Sequence, residues 1–382
     1  MSRVKLGDVA VEHKETCKGD KDGYPVVGLE HLTPEEVSLT NWDEKSDNTF
    51  TKMFRKGNVL FGRRRAYLKK AAVAPFDGIC SGDITVIEAI PDRVFPDLLP
   101  FIIQNDDLFT YAIGKSAGSL SPRVKWEYLK DYEFELPDMD RQKELSEILW
   151  AMDTAKKSYQ KLIAATDELV KSQFMEQFGD PIANPKGWVV SPIKAATNKI
   201  GSGATPKGGN SVYIAGGVSL IRSMNVYNGY FEPDDLAHIS TEHAKLLEGV
   251  ALQKDDVLLN ITGASVARCC VVPKNVLPAR VNQHVCILRC DTSNVLPIFL
   301  NQQLITPQYQ KMLWSVAEAG GGTRQAITKQ QIENFQIILP PLSLQEQFAA
   351  FVRQSDKSKF ELEKALSELT ATYKRILAEN LG

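Results

Sequence analysis

The sequence contains one plan twice, and this repeat limits the possible folds more than any other feature. The segment Leu-Pro-Asp-Met-Asp-Arg-Gln at 136–142 recurs as Leu-Pro-Pro-Leu-Ser-Leu-Gln at 339–345, so residue 339 corresponds to residue 136 at an offset of 203. The same offset holds without a gap until residues 178–179 correspond to 381–382. A repeat of this length predicts two equivalent structural units.

The repeat extends upstream into the rest of each copy. Residues 126–134 correspond to 329–337 at the same offset, and 57–61 resemble 255–259. Each copy therefore consists of a globular part followed by a helical segment. The predicted boundaries of these four parts are 1–137, 138–179, 180–340 and 341–382.

Both helical segments carry apolar residues with the spacing of a coiled coil. Between Asp140 and Phe178 there is neither Pro nor Gly, and apolar residues recur every three or four positions until Gly179 ends the helix. A similar stripe follows Pro341. A solitary surface helix would leave such a stripe in water, so we expect the two helices to pack on each other or on another chain.

The globular parts are predicted to be mixed α/β. Short runs rich in β-branched residues predict strands at 58–61, 84–87, 257–261 and 285–288. Helices are predicted at 97–111 and 297–316, each after a turn. A long polar loop is expected at 201–210.

Composition excludes several classes of protein. The 382 residues have a net charge of −2, from 45 Lys and Arg against 47 Asp and Glu, which argues against a uniformly basic protein. We see neither a signal peptide nor an apolar run of the ~20 residues needed to cross a bilayer. Six irregularly spaced cysteines fit reduced thiols, so we expect a cytoplasmic protein.

Cations are concentrated in one segment of the first copy. Between Thr51 and Pro75 there are eight Lys or Arg residues and no acid, and Arg63-Arg64-Arg65 directly follows a predicted strand. Several cations on one loop suit DNA phosphates, and arginine also reads guanine in the major groove. The alternative is a solvated charged face. However, three adjacent arginines without neighbouring acids would repel one another unless an anion binds them, which favours nucleic-acid contact.

Other polar loops fit the same function less specifically. Small, hydroxyl-bearing and basic residues at 115–123 and 320–325 suit phosphate contacts through backbone N–H groups, although plain flexible loops are the alternative. In the second copy, 260–265 and 282–284 place Asn and Gln at strand ends. These side chains suit adenine edges but often only satisfy turns, and His284 is expected to be structural.

The sequence contains no recognised catalytic or metal-binding motif. Gly114-Lys115-Ser116 resembles the end of a nucleotide-binding loop, but Phe109 stands where the first glycine of that loop belongs. There is no Cys-x-x-Cys pair and no His-Glu-x-x-His arrangement. Asn184-Pro185 does not continue as the Asn-Pro-Pro-aromatic stretch of adenine methyltransferases. We therefore expect no catalytic residue, metal or cofactor.

Taken together, the motifs resemble the specificity subunits of Type I restriction–modification systems, over essentially the whole chain. The residues that carry the resemblance are 59–67, 74–83, 203–206, 281–285, 321–327 and 339–347. Residues 141–144 depart from the more typical Gln-Glu-containing start of the first long helix.

The resemblance implies a mixed α/β fold with a pseudo-twofold internal repeat. Two target-recognition domains, 1–137 and 180–340, would each read one half of a bipartite double-stranded DNA site. The two helices, 138–179 and 341–382, would pack antiparallel as a coiled coil, hold the domains apart and dock two modification subunits that methylate adenine N6. The subunit itself would be noncatalytic and would not contact a membrane. Whether restriction (translocase or nuclease) subunits complete the complex stays open.

We expect DNA contacts in both domains. The candidates in the first domain are Arg63, Arg64, Arg65, Tyr67, Lys69 and Arg123. Those in the second are Thr205, Lys207, Thr262, Arg268, Gln283 and Arg324. Two other functions stay open at this point: a methyltransferase or nuclease with an unrecognised motif, and a coiled-coil adaptor with two protein-binding heads. The first predicts that the chain alone binds S-adenosylmethionine or modifies DNA, and the second predicts no salt-dependent affinity for DNA.

Overall fold

The computed structural model describes residues 2–19, 21–44, 49–319 and 325–382. The chain divides into two compact units. Unit 1 comprises Met1–Leu162 together with Leu362–Gly382, and unit 2 comprises Ile163–Glu361.

In unit 1, most of the strands precede most of the helices along the chain. Its strands are β1 (Ser2–Lys5), β2 (Ala10–Glu12), β3 (Val26–Val27), β4 (Lys52–Phe54), β5 (Val59–Gly62), β6 (Ala71–Val73), β7 (Gly78–Cys80), β8 (Ile84–Ala89) and β9 (Glu133–Leu136). Its helices are α1 (Leu6–Val9), α2 (Leu99–Ile103), α3 (Asp106–Gly114), α4 (Trp126–Leu129) and the first part of the long helix α5 (Met139–Phe178).

Unit 2 has a matching set of elements. Its strands are β10 (Val189–Pro192), β11 (Thr197–Ser202), β12 (Val218–Ile221), β13 (Ala237–Ile239), β14 (Val257–Asn260), β15 (Cys269–Val271), β16 (Ala279–Val281), β17 (Val285–Cys290) and β18 (Gln336–Leu339). Its helices are α6 (Thr241–Leu246), α7 (Pro297–Leu304), α8 (Pro307–Glu318), α9 (Lys329–Asn334) and the first part of the long helix α10 (Leu342–Leu381).

The main sheet has the same topology in both units. It is antiparallel with the strand order β2-β8-β5-β6 in unit 1 and β11-β17-β14-β15 in unit 2. A two-stranded sheet, β1-β9 or β10-β18, accompanies it. The repeat read from the sequence is therefore a repeat of topology.

Both faces of the main sheet are covered, which explains the uninterrupted apolar runs in its central strands. In β5, Val59 and Phe61 face the core shared with α2 and α3, whereas Leu60 faces the core shared with β3 and β7. In β14, Val257 and Leu258 divide between two cores in the same way. Side chains alternate between the faces of a strand, so a doubly covered strand must be apolar at every position.

The third sheet is where the two units differ. Both contain one parallel pair, β3·β7 in unit 1 and β12·β16 in unit 2. The additional strand β4 pairs with β7, whereas β13 pairs with β12, which is the counterpart of β3. The two copies thus share a main sheet and differ in their outer layer.

Each unit contains the start of one long helix and the end of the other, packed antiparallel. In unit 1, Leu145 of α5 and Leu377 of α10 belong to one buried cluster. In unit 2, the Lys359 ammonium of α10 lies 2.8 Å from the Asp167 carboxylate of α5, and Phe174 packs against Phe348 at a ring distance of 5.5 Å. The antiparallel helix pair and the mixed α/β class are confirmed.

The predicted strands are confirmed as β5, β8, β14 and β17, but the two predicted globular helices need correction. The run at 97–111 is broken between α2 and α3, where the Asn105 side chain accepts a hydrogen bond from the Asp107 N–H at 3.1 Å. The run at 297–316 is broken between α7 and α8, where the Thr306 hydroxyl accepts from the Tyr309 N–H. Each capping side chain begins a new helix inside an apolar run.

A buried glutamine joins each globular part to its long helix. Gln142 in the first turn of α5 is 3% exposed, its Oε1 accepts from the Phe95 N–H at 2.8 Å, and its Nε2 donates to the Pro137 carbonyl at 2.9 Å. Gln345 at the same place in α10 accepts from the Leu296 N–H and donates to the Pro340 carbonyl, both at 2.9 Å. One amide thus satisfies a donor on one segment and an acceptor on another.

Within the described residues, no helix is both long enough and apolar enough to cross a membrane.

Replacing either glutamine with alanine should loosen its own unit. Gln142→Ala leaves the Phe95 N–H without its acceptor, at a cost of about 2 kcal/mol, so hydrogen exchange at Phe95 should accelerate roughly thirtyfold. Gln345→Ala should have the same effect at Leu296. Gln160→Ala, at an exposed position of α5, is the matched control and should change neither rate. Unchanged exchange at Phe95 in Gln142→Ala would show that the glutamine does not fix this junction.

Candidate nucleic-acid interface

The three consecutive arginines open a strained loop at the end of β5, here called the arginine loop (Arg63–Lys70). Arg65 and Lys69 both have left-handed backbone conformations, with φ of 55° and 49°, on either side of a single 3₁₀ turn, Ala66–Leu68. Residues with side chains seldom adopt this conformation, and such strain is concentrated at functional sites. The turn buries Ala66 and leaves Tyr67 54% exposed.

The loop Lys115–Arg123, here called the serine loop, is fixed against the arginine loop by backbone hydrogen bonds. The Arg65 N–H donates to the Pro122 carbonyl at 2.8 Å, and the Val124 N–H donates to the Arg63 carbonyl at 3.0 Å. Arg64 pairs with Arg123 as an isolated β-bridge. Two loops that are distant in the sequence therefore form one surface with Arg63, Arg64, Arg65, Tyr67 and Arg123.

A single carboxylate organises the arginines of this surface. Asp83, in the turn before β8, accepts from Arg123 Nε at 2.7 Å and from Arg123 Nη2 at 3.2 Å, and lies 3.6 Å from Arg64 Nη1. Arg64 Nε also donates to the Ser121 hydroxyl at 2.5 Å. The hydrogen bonds from Arg123 are the main cause that lowers the pKa of Asp83, and Asp83 in turn raises the pKa of Arg123. The fork of Arg123 is thereby held in one orientation.

These contacts correct the expectation that the cations of the basic segment have no acidic neighbours. Several of its cations have carboxylate partners from elsewhere in unit 1. The ion pairs are Lys52 with Glu12, Arg55 with Glu15 and Asp77, and Lys69 with Asp106. The reason is that acids distant in the sequence lie on neighbouring strands and turns of the same sheets.

Lys69 belongs to a different part of unit 1 from the arginine cluster. Its ammonium lies 2.5 Å from Asp106 at the start of α3 and 3.7 Å from Glu35, and its pKa is raised chiefly by the hydrogen bond to Asp106. Asp106 also lies 3.4 Å from Lys374 of α10. Lys69 is therefore linked through Asp106 to Lys374 of the long helix α10, and it does not pair with Asp83.

In unit 2, four side chains at strand ends form a continuous hydrogen-bonded chain. The Thr205 hydroxyl donates to Gln283 Oε1, Gln283 Nε2 lies 3.0 Å from His284 Nε2, and His284 Nδ1 lies 2.5 Å from the Thr262 hydroxyl. An amide nitrogen can only donate, so His284 Nε2 must accept and Nδ1 must carry the proton. The structure thus brings together Thr205, Gln283 and Thr262, joined through His284.

The two units hold these side chains on the same backbone framework. The Ile261 N–H donates to the His284 carbonyl at 2.9 Å, as the Arg63 N–H donates to the Asp83 carbonyl at 3.0 Å. Thr262 forms an isolated bridge with Ala326, as Arg64 does with Arg123. His284 therefore occupies the place of Asp83, and Thr262 that of Arg64.

Arg268 and Lys207 are the other candidates of unit 2 within the described residues. The guanidinium of Arg268 stacks 4.3 Å from the Tyr227 ring, which in turn stacks on Tyr230 at 4.9 Å. Lys207 is exposed in the loop after β11. The bridge pairs make Ala326 the counterpart of Arg123, as the offset of 203 also does. Arg324 itself lies outside the described residues.

Sequence reasoning missed Asp83 and the part played by His284. Asp83 lies within the motif 74–83, but its sequence distance from Arg123 conceals the contact. The sequence predicted a structural role for His284. In the structure, its ring contacts the candidate residues Gln283 and Thr262.

In the described part of the chain, no group of three or more His, Cys, Asp or Glu side chains is arranged so that it could hold a metal ion. The cysteines of β15 and β17 are core residues. Burial raises the pKa of Cys270, Cys286 and Cys290 to about 12, so these thiols stay protonated at neutral pH.

Comparison with known proteins gives a consistent family. A family model for the "Type I restriction modification DNA specificity domain" matches residues 1–165 and again 185–370. The putative type I restriction enzyme MjaX specificity subunit of Methanocaldococcus jannaschii is 20% identical over 93% of this chain and 87% of its own length. The EcoDI specificity subunit of Escherichia coli is 24% identical over 44% of this chain and 35% of its own length.

Solved structures agree with the fold. The S subunit of a Type I restriction–modification system from M. genitalium superposes with a TM-score of 0.61 at 13% identity, over 98% of this chain and 94% of its own. A chain from a structure that describes complex assembly and conformational transition of the type I R-M system superposes with a TM-score of 0.54 at 20% identity. That alignment covers 99% of this chain and 97% of the other.

The ion pair between Arg123 and Asp83 should be detectable in a pH titration of the Asp83 carboxyl group. A carboxylate with a depressed pKa contributes stability above its unfolded pKa, and this contribution is lost as the pH falls through the folded value. Arg123→Ala should therefore raise the pKa of Asp83 towards the usual value near 4, as followed by carboxyl carbon chemical shifts. Lys125→Ala, an exposed cation two residues further on, should leave it unchanged. An unaltered Asp83 titration in Arg123→Ala would contradict the pairing.

Proposed function

The chain belongs to the Type I restriction–modification specificity subunits, noncatalytic DNA-recognition components, and on this premise we propose that each unit reads one half of a bipartite double-stranded DNA site. The observation that carries the proposal is the common framework, which presents Arg64, Asp83 and Arg123 in unit 1 and Thr262 and His284 in unit 2. One backbone with two different sets of side chains suits two half-sites of different sequence.

Unit 1 supplies cations whose orientation is fixed before DNA binds. Arg123 donates from Nε and Nη2 to Asp83, and Arg64 donates from Nε to the Ser121 hydroxyl. The remaining N–H groups of both guanidinium groups are available to DNA. Arg65 is exposed on the same surface. Arginine contacts phosphates, and its planar fork also binds guanine O6 and N7. Arg63 and Tyr67 complete this set.

Unit 2 supplies mainly neutral hydrogen-bonding groups. Gln283 is exposed, and after its bonds to Thr205 and His284 its amide still has one N–H and one lone pair. A donor and an acceptor side by side are what adenine N7 and N6 require. We assign base contacts to Gln283 and Thr262, and phosphate contacts to Lys207, Arg268 and Arg324.

The long helices are assigned the protein contacts. Although each is packed along one stripe, apolar residues stay exposed on other faces, among them Ile148 and Leu169 of α5 and Phe360 of α10. Exposed apolar residues on a rigid helix suit docking of a protein. We propose that these helices dock two adenine-methylating modification subunits and set the spacing between the half-sites. Restriction subunits would join the complex through this core.

The direct test is to co-express the chain with a candidate adenine methyltransferase subunit from the same genome, to purify the complex and to map the methylated adenines in genomic DNA. A single bipartite motif is the expected result. Exchanging residues 1–137 for the corresponding domain of a relative should change one half of that motif and leave the other intact. Methylation without a bipartite motif, or changes in both halves after the exchange, would contradict the proposal.

The arginine loop should dominate the binding of unit 1. Arg63, Arg64 and Arg65 replaced together by Ala should abolish tight binding at physiological salt. The pair Arg64→Ala and Arg65→Ala should reduce the slope of log affinity against log salt by about two, because two phosphate contacts are lost. Affinity is measured by fluorescence anisotropy with the mapped duplex.

The matched control for this experiment is Lys56→Ala. Lys56 is an exposed cation in the turn before β5, and the arginine loop follows the other end of this strand, whose four residues span roughly 13 Å. Its replacement should alter neither the affinity nor the salt slope. Equal losses in Lys56→Ala and in the arginine variants would show a diffuse electrostatic effect instead of a defined contact surface.

A further inference from the structure

The apex of the serine loop carries a large apolar side chain in water. Leu120 is 92% exposed, the highest value among the large apolar residues of the described chain that are exposed. Burial of a leucine side chain is favourable, and folding does not recover this contribution here. Single exposed apolar residues are common, so exposure by itself identifies no site.

The loop that carries Leu120 is fixed on both sides of the apex. Ala117 and Arg123 exchange two backbone hydrogen bonds, of 3.0 and 2.9 Å, which close the base of the loop. Ser121, next to Leu120, accepts from Arg64 Nε at 2.5 Å. Gly118 turns the chain with φ of 117°, a conformation that residues with side chains rarely adopt. Leu120 is therefore presented from a supported base.

Cations surround this apolar apex. Arg64, Arg65 and Arg123 lie on the paired loops beside it, and Tyr67 is the exposed aromatic of the same surface. A binding partner that matches this surface must offer anions around an apolar area. The groove of duplex DNA does so, because phosphates line both of its edges and the bases lie between them.

We propose that Leu120 is a specificity-determining residue that contacts the bases of the half-site read by unit 1 through their apolar surfaces. This inference rests on the proposed function. The arginines bind the phosphates of the DNA backbone at the edges of the groove. Leu120, at the apex of the serine loop, contacts the bases between them. Two base surfaces offer this chemistry: the C5-methyl group of thymine and the face of a base at a partly unstacked step.

The internal repeat confines the effect to one half-site. The corresponding segment of unit 2 has the sequence Gly320-Gly321-Gly322-Thr323, which contains no large apolar side chain, and its structure lies outside the described residues. Changes at Leu120 should therefore relax the choice of base in one half of the motif only. A general loss of affinity would affect both halves equally.

The test uses Leu120→Ala in the complex with the methyltransferase subunits, with unmethylated genomic DNA as the probe and base frequencies around methylated adenines as the readout. Discrimination at one or two positions of one half-site should fall about tenfold, as expected for removal of most of a leucine side chain. Leu120→Met keeps the apolar bulk and should retain the wild-type frequencies. Leu246→Ala, which alters an 81% exposed leucine of unit 2, is the matched control and should also retain them.

Two modified duplexes distinguish the base surfaces. If Leu120 contacts a thymine methyl, uracil in place of that thymine should reproduce the loss caused by Leu120→Ala. If Leu120 enters an unstacked step, 2-aminopurine at that step should brighten with the wild-type complex and not with Leu120→Ala. Either result supports the proposal.

The remaining outcomes overturn it in distinguishable ways. If Leu120→Ala keeps all base frequencies while Arg65→Ala weakens binding, Leu120 reads nothing and the proposed function stands. If the wild-type complex neither methylates nor binds genomic DNA, both proposals are rejected.

Discussion

Each unit depends on one buried amide at the start of a long helix. Gln142 and Gln345 each bond to the segment that leads into the short helices of their own unit and to a proline two residues before the long helix. A buried N–H or C=O without a partner costs about 1–3 kcal/mol. These hydrogen bonds therefore add to apolar packing in fixing the direction of the helix relative to the globular part. Each 40-residue helix therefore starts in a defined direction relative to the globular part that precedes it.

The same logic separates framework from function within each globular part. Backbone hydrogen bonds fix where the loops meet, and they are the same in both units. The side chains on those loops are free to differ, since none of the shared bonds uses them. Asp83 and His284 occupy equivalent positions with different charge and hydrogen-bonding capacity. A duplicated chain can therefore change the side chains that each half presents without changing how either half folds.

The sequence was sufficient for the repeat, the long helices and the central strands, because these depend on local periodicity. It was insufficient where a contact joins distant segments. The segment around Arg64 contains no acid, yet Asp83 lies across the loop as its partner. The break at Asn105 was missed for a different reason, since a capping side chain inside an apolar run leaves the helical period intact. The contacts of His284 were hidden because a lone histidine gives no pattern.

The carboxylate among the arginines has a consequence for specificity. Three adjacent arginines facing DNA alone would bind any phosphate backbone, because the release of counterions does not depend on sequence. Asp83 neutralises part of that charge and at the same time orients the fork of Arg123. If these loops contact DNA as proposed, affinity for arbitrary DNA falls, whereas contacts that need a defined orientation are retained. In unit 2 the corresponding position carries a neutral hydrogen-bonding chain, which would lower the sequence-independent attraction further. Selective binding would then follow from limiting the charge at the proposed interface, and a net charge of −2 is compatible with a DNA reader.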